Sequence, residues 1–328
     1  MTDNLCIGVS RQLPPPLLER LRAVGAVRMP DMDAPADLAE LFKDADYALV
    51  TPLDGQIDRA VLAACPKLKL ISTISAGYDH IDIEACAARG IVVCNTPGAV
   101  VAATADLAFG LMLAAARCIV EADAYVRAGR WGSGSAPIYG MDVHHKRMGI
   151  IGLGRIGAEL AKRAKGFDMD VCYYNRRQLP PEEEARLGVR YLDLDSLLAQ
   201  SDFVMVQAPY GPHTHHLIGA AQLARMKPSA VLVNAARGGV VDDAALAAAL
   251  RERRIAAAGL DVTEGEPGVH PDLLPLSNLV LSPHIGSNTR ETHLRMAMEA
   301  IDNLLGAIHG APLRNRVTPM EAAANVAP

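Results

Sequence analysis

Arg237, Glu266 and His284 each stand just beyond an apolar run that reads as a buried strand: AVLVNAAR, AAGLDVTEGE and NLVLSPH. In an open α/β sheet the carboxyl ends of the strands border the ligand crevice, so the three side chains are expected to converge there. An imidazole titrates near neutral pH and can give a proton to a carbonyl oxygen as negative charge grows on it. A carboxylate beside the ring orients it and favours its protonated form. A guanidinium fork grips a carboxylate through parallel N–H groups and polarises a neighbouring carbonyl. Together they suit hydride reduction of a 2-oxo acid, with His284 as acid, Glu266 as its orienting partner and Arg237 as substrate anchor. Backbone amides of Ala76 and Gly77, in ISAGYDHID, are the candidates to complete the anion site. Singly, each residue has a plainer reading as a structural histidine or an ion-pairing group. Their order, and a dinucleotide loop upstream, join them.

That loop is Gly152-Leu153-Gly154-Arg155-Ile156-Gly157, which follows RMGIIGL and opens the helix AELAKRAKGF. Glycines in this pattern also mark ordinary tight turns, so context decides. Here a strand precedes, a helix with apolar Ile156, Leu160, Ala164 and Phe167 follows, and a second strand ends about twenty residues on. The glycines permit a tight turn and close backbone approach, and the helix N-terminus receives a pyrophosphate. At the end of that second strand an NAD enzyme normally carries Asp or Glu for the ribose hydroxyls, yet this chain has Asn175-Arg176-Arg177. Two guanidiniums beside a neutral amide favour a 2′-phosphate and hence NADP(H), with weaker use of NAD(H). The alternative is a solvated basic turn before Glu182-Glu183-Glu184.

Strand-like and helical patterns alternate along the chain, the signature of doubly wound α/β units. The first third offers LCIGVS, YALV, LKLISTIS and IVVCNT as strands, with helices near 14–24, 36–43, 58–64 and 81–89. A long helical stretch from Val101 runs through TADLAFGLMLAAARCIVEADAYVRAG, and an irregular arm, RWGSGSAPIYGMDVHH, leads to RMGIIGL, DVCYYN, DFVMVQA, AVLVNA, AAGLDV and NLVLSP. Those six read as one parallel sheet. A final helix near 291–309 is expected to pack back on the first lobe, leaving hinges near 98–101 and 286–290.

With 328 residues the chain exceeds what one core usually supports. Half its residues are hydrophobic, 21% are charged and the formal net charge is −5, which offers no general attraction to nucleic acid or an anionic membrane. The six cysteines lie far apart in apolar runs without CxxC spacing, as expected of reduced, buried thiols in a cytoplasmic protein. The opening residues do not read as a secretory signal. The longest uncharged apolar segment, Leu107 to Ala116, is short of the ~18–20 residues of a membrane span and reads as a core helix.

These motifs resemble the D-isomer-specific 2-hydroxyacid dehydrogenases. GIIGLGRIG carries the loop, NAARGGVVDDAALAAAL carries Arg237, GLDVTEGEP carries Glu266 and SPHIGSNT carries His284. Within the family, STISAGYDHID, TADLAFGLMLAAAR, YGMDVHHKRMGIIGLGRIG, the YNRR turn and RNRVTP are most similar to NADPH-linked glyoxylate/hydroxypyruvate reductases, particularly the bacterial type that also reduces 2-ketogluconate. The resemblance implies a flavodoxin-like substrate lobe of residues 1–100 plus 288–328, and a Rossmann NAD(P)-binding lobe of residues 101–287. It implies a D-2-hydroxy acid product and a homodimer built by the nucleotide-binding lobes and the arm from Trp131 to Val143. It also implies that Pro209, Thr214 and Gly286 border the cofactor, that Ala235 lies near the nicotinamide ribose, and that Asp261 faces the nicotinamide amide.

Two segments depart from the family pattern. APYGPHTHH replaces the usual Pro-Leu-Thr, which puts Tyr210-Gly211 on the nucleotide rim, and Ile138 stands where such reductases often carry tryptophan, a hint of a roomier pocket for sugar acids. His213, His215 and His216 are spaced closely enough to suggest a metal, but with no cysteine or paired carboxylates near them in sequence they read as loop residues, and no metal is expected. A different class stays open at this stage: a dinucleotide-binding regulator of the same fold. Against it, the chain shows no extra segment of the ~50 residues a regulatory domain takes. A reductase for phenylpyruvate or pyruvate is the other alternative.

Overall fold

The computed structural model describes residues 5–31, 37–132, 134 and 137–319. By its internal contacts the chain divides into two compact units, Met1–Val100 with Ser287–Ala324, and Val101–Gly286.

In chain order the first unit opens with β1 (Cys6–Val9), α1 (Pro15–Arg22), β2 (Ala26–Arg28), α2 (Leu38–Phe42) and β3 (Tyr47–Val50). It continues with α3 (Arg59–Ala64), β4 (Leu70–Thr73), α4 (Ile83–Ala88) and β5 (Val92–Cys94). The second unit holds α5 (Val101–Ala116), α6 (Ile119–Arg127), β6 (Arg147–Ile151), α7 (Arg155–Lys165), β7 (Asp170–Tyr174), α8 (Pro181–Leu187) and β8 (Arg190–Tyr191). Then come α9 (Leu194–Gln200), β9 (Phe203–Val206), α10 (Ala220–Leu223), β10 (Val231–Asn234), α11 (Asp243–Arg251), β11 (Ala257–Leu260) and β12 (Leu279–Leu281). The chain returns to the first unit for α12 (Arg290–Ile308) and β13 (Arg316–Val317).

Short helices start where aspartates accept backbone N–H bonds: Asp37, Asp58, Asp82, Asp193 and Asp242 are all N-caps. The first sheet runs β13-β5-β4-β3-β1-β2, parallel except for β13, so its five parallel strands follow the flavodoxin-like order. Ile301 and Leu304 of α12 pack with Ile7, Val9 and Leu49 on one face of it. The second sheet runs β12-β11-β10-β9-β6-β7-β8, all parallel, which is the Rossmann order with one further strand beyond β11. Its two faces carry separate cores, one closed by α5 and α7 and the other by α9 and α11. The topological switch lies between β6 and β9, where a dinucleotide sits in such sheets.

Several elements differ from the sequence reading. The second sheet has seven strands rather than six, because the two-residue β8 pairs with β7. In the first unit β2 and β13 join the four anticipated strands; both are too short to show a period of their own. The long helical stretch from Val101 is two helices bent by 62°, with Cys118 at φ 52°. The reason is visible at the break. Ala116 O, which a continuing helix would pair with residue 120, accepts Met141 N at 2.8 Å instead. Beyond it α6 buries no residue, so nothing draws that segment onto the sheet, whereas Ala105, Ala108 and Met112 of α5 are fully buried. Among the described residues no single helix is long and apolar enough to cross a membrane. All six thiols are free; Cys6 and Cys118 are only half-buried, unlike the other four.

Candidate active site

Arg237, Glu266 and His284 follow β10, β11 and β12, three adjacent strands of the second sheet. Each is fixed by backbone first. Asn234, the last residue of β10, is almost fully buried; its Oδ1 accepts Ala236 N at 3.1 Å and its Nδ2 donates to Arg237 O at 2.9 Å, curling the chain so that Arg237 leaves the strand end. The next residue must be glycine, since a Cβ on Gly238 would lie 1.9 Å from Thr263 O. This close approach sets the Arg237 loop against the turn that carries Glu266. In that turn Thr263 N donates to Glu266 Oε1 at 3.1 Å and Glu264 N to Asp243 Oδ2 at 2.9 Å. Asp243 is a buried acid that burial pushes up to about 6, against the opposing pull of the Glu264 N–H.

His284 has a left-handed backbone, φ 52°, a strained state for a residue with a side chain. Asp261, 2% exposed, holds it there. The Asp261 carboxylate accepts Ser282 Oγ at 2.6 Å, Ile285 N at 2.9 Å and Gly286 N at 2.8 Å, and its carbonyl accepts His284 N at 2.8 Å. The turn on both sides of the histidine is therefore tied to one buried acid. The family resemblance assigns Asp261 to the nicotinamide amide; both its carboxylate oxygens are engaged by this turn.

So held, His284 Nδ1 lies 2.7 Å from Glu266 Oε2. The bond from Glu266 raises the His284 pKa, burial opposes it, the Glu266 charge adds to the rise and the Arg237 charge resists it. Burial pushes the Glu266 carboxyl up, but the His284 bond and charge, the Thr263 N–H and the Arg237 charge together hold it below its ordinary value. The contact thus favours an imidazolium on a carboxylate, with the other ring nitrogen directed away from Glu266 and half of the side-chain surface exposed (50%). Arg237 is half-buried, with Nη1 donating to Ala236 O at 2.8 Å.

The glycine loop lies at the end of β6. Gly152 has φ 94°, and a Cβ there would come within 2.6 Å of Ala208 N. A Cβ on Gly154 would meet nothing within 4 Å, and no side chain caps α7, which begins at Arg155 and Ile156. An uncapped helix N-terminus behind Gly154, where no side chain stands in the way, fits a pyrophosphate. Gly157 packs on the loop, where a Cβ would be 2.9 Å from Gly152 O. Asn175, Arg176 and Arg177 follow β7, the two arginines exposed. Pro209 and Thr214 close the turn after β9, Thr214 Oγ1 donating to Pro209 O at 2.7 Å, and Ala235 lies buried beyond β10. Ala76 and Gly77 belong to the first unit, in the loop after β4; their carbonyls accept Asn95 Nδ2 at 2.7 Å and Ser75 Oγ at 2.6 Å.

Sequence reasoning missed the supporting residues Asn234 and Asp243, and also Gln207. Gln207 follows Val206, which pairs with Ile151 on one side and Asn234 on the other, and its buried amide has no protein partner. The signal for Asn234 and Gln207 is a polar residue at the end of an apolar strand; Asp243 instead opens α11, where an acid reads as an ordinary first-turn residue. The loop histidines need a correction: His216 does have a carboxylate partner, Glu264 Oε1 at 2.6 Å, brought by the turn after β11, and His215 stacks on His216 at 3.9 Å. Sequence distance hid this pair.

Comparison with known proteins places the arrangement. A profile of the D-isomer specific 2-hydroxyacid dehydrogenase, NAD binding domain, matches residues 109–286. The chain belongs to this family. Among D-isomer specific 2-hydroxyacid dehydrogenases it is 45% identical over 310 residues to a glyoxylate reductase of Thermococcus litoralis, covering 92% of this chain and 93% of that one. It is 45% identical over 315 residues to a glyoxylate/hydroxypyruvate reductase B of Shigella boydii, covering 94% and 96%. A solved NADPH-dependent glyoxylate/hydroxypyruvate reductase of Sinorhizobium meliloti, in complex with NADP and malonate, superposes with a TM-score of 0.83 at 32% identity, covering 96% of this chain and 97% of that one. The chain is thus an oxidoreductase, and its second unit is a nicotinamide-dinucleotide-binding domain.

Replacing Asp261 by Asn leaves one acceptor oxygen for donors that now occupy two. We expect a loss of about 1–3 kcal/mol in unfolding free energy, the cost of buried donors left unmatched, with activity falling as the His284 turn relaxes. Denaturant unfolding and steady-state assay of the variant check this; full stability together with full activity contradicts it.

Proposed function

We propose that this protein is an NADPH-dependent reductase of small 2-oxo acids, first glyoxylate and hydroxypyruvate and in addition 2-ketogluconate, yielding D-2-hydroxy acids. The observation that carries the proposal is the 2.7 Å contact between His284 Nδ1 and Glu266 Oε2 beside Arg237. The names of the relatives support the substrate class.

The bound reduced nicotinamide supplies the hydride. Everything else falls to the chain. Arg237 grips the substrate carboxylate and draws electron density toward the carbonyl oxygen. As the C=O electron pair moves onto that oxygen, the outward ring nitrogen of His284 gives it a proton, leaving a neutral imidazole that solvent recharges. Glu266 holds the ring through Nδ1 and keeps it loaded. Gly152, Gly154 and Gly157, with Arg155 and Ile156, form the pyrophosphate cradle, while Arg176 and Arg177 pair with the 2′-phosphate and no carboxylate in the turn repels it. NAD(H) serves less well.

His284→Gln should remove turnover while NADPH still binds, because the amide cannot supply the proton. In the wild type, reduction should slow as pH rises through the raised His284 pKa, above the ordinary ~6.5, whereas oxidation of the hydroxy acid should quicken over the same range. An active glutamine variant would falsify the assignment.

Initial rates with glyoxylate, hydroxypyruvate, 2-ketogluconate, pyruvate and phenylpyruvate, each with NADPH and NADH, test the substrate and coenzyme. We expect the highest kcat/KM with NADPH on one of the first three; preference for NADH or for phenylpyruvate overturns that part. Ile138→Trp should lower 2-ketogluconate turnover relative to glyoxylate, and an unchanged ratio removes the sugar-acid reading.

We further propose a cytoplasmic homodimer joined through α6 and the arm after it. Trp131 and Tyr139 are 77% and 84% exposed, and Ile119, Val120 and Val126 of α6 lie open on the same segment. Light scattering should give twice the 34.8 kDa of one chain; a monomer at micromolar concentration contradicts it.

A further inference from the structure

We infer that Asn175 is a positioning residue that clamps the dinucleotide loop, and that it sets coenzyme choice through its neutrality rather than by touching the 2′-phosphate. The second half of this inference rests on the NADPH reading above; the first does not.

Asn175 is the first residue beyond β7, and both ends of its side-chain amide are engaged by one residue of the loop. Leu153 N donates to Asn175 Oδ1 at 2.7 Å, and Asn175 Nδ2 donates to Leu153 O at 3.3 Å. Just before, Gly152 N donates to Tyr174 O at 2.9 Å. The loop between Gly152 and Gly154 therefore hangs from the end of the neighbouring strand by two main-chain N–H groups and one carbonyl. Leu153 sits between the two glycines whose missing side chains let a pyrophosphate approach, so any shift of Leu153 moves the whole cradle.

The chemistry of this clamp demands an amide. The side chain must accept from an N–H and donate to a C=O, and of asparagine and aspartate only the former does both. An aspartate would keep the bond from Leu153 N but set its second oxygen against Leu153 O, lone pair to lone pair. That repulsion turns the carboxylate out of the clamp, beside Arg176 and Arg177, where its charge opposes a phosphate. One neutral side chain thus meets two demands, a fixed loop and a turn without negative charge. The exposed arginines are then left as the groups that read the phosphate.

Fluorescence titration of NADPH and of NADH onto the wild type and Asn175→Ala tests the clamp. Both dissociation constants should rise by a similar factor, about three- to tenfold for a loss of one or two net hydrogen bonds, and hydrogen exchange at the Leu153 amide should quicken. Arg176→Ala and Arg177→Ala should weaken NADPH alone, and Asn175→Asp should weaken NADPH more than NADH. If Asn175→Ala weakens NADPH and spares NADH, the amide touches the 2′-phosphate and the clamp is wrong; unchanged affinity for both also overturns it. A wild type that binds the two coenzymes equally removes the NADPH reading, yet the parallel loss in Asn175→Ala still tests the clamp. Should the alanine variant fail to fold, Asn175→Ser carries the same comparison, since its hydroxyl stops short of Leu153 but remains neutral and polar beside the turn.

Discussion

An imidazole held on a carboxylate at 2.7 Å is the interaction around which the second unit is arranged. Histidine and glutamate alone would meet in many geometries. Here the pair also has to leave the second ring nitrogen facing outward and a guanidinium near enough to act electrostatically on both partners. The carboxylate favours the charged ring, while burial and Arg237 favour the neutral one. The first influence is the larger, so the ring's pKa lies above its ordinary value while two opposing influences still act on it, which suits the proton donor proposed above.

Parallel strands alone do not deliver this geometry. The sheet brings the ends of β10, β11 and β12 side by side, and polar residues at those ends then shape each turn. Asn234 curls the Arg237 segment, Thr263 and Asp243 pin the Glu266 turn, and Asp261 holds His284 in a left-handed state. The same device recurs at the coenzyme loop, where Asn175 plays toward Leu153 the part that Asp261 plays toward His284. At Asn234, Asp261 and Asn175 a polar side chain at a strand terminus satisfies backbone groups that a tight turn leaves without partners.

Much of this was legible in the sequence because buried parallel strands read as continuous apolar runs. RMGIIGL, DFVMVQA and AVLVNA announce themselves, and the glycine pattern is legible because it follows a strand and opens a helix. Arg237, Glu266 and His284 stand out as candidates for the same reason: each comes just after such a run. What stayed hidden was local or distant. β8 and β2 are too short for any period to appear, and the break between α5 and α6 depends on Met141, over twenty positions away, taking the Ala116 carbonyl. The pairing of His216 with Glu264 joins two loops that only the sheet brings together. The support given by Asn234 and Asp261 was invisible because an Asn or Asp after a strand looks the same in sequence whether it binds a ligand or a turn.

The most direct test is a titration of the His284 ring by NMR with labelled histidine, in the wild type and in Glu266→Gln, the signal assigned by its loss in a His284 variant. The geometry of the site requires the wild-type ring to titrate above the ordinary imidazole value of about 6.5, and to titrate lower once the carboxylate is replaced, because burial and the Arg237 charge are then opposed only by the smaller influence of Asp261. The same midpoint in both proteins would mean that Glu266 does not set the charge of His284, and the account of the site would fail at its centre.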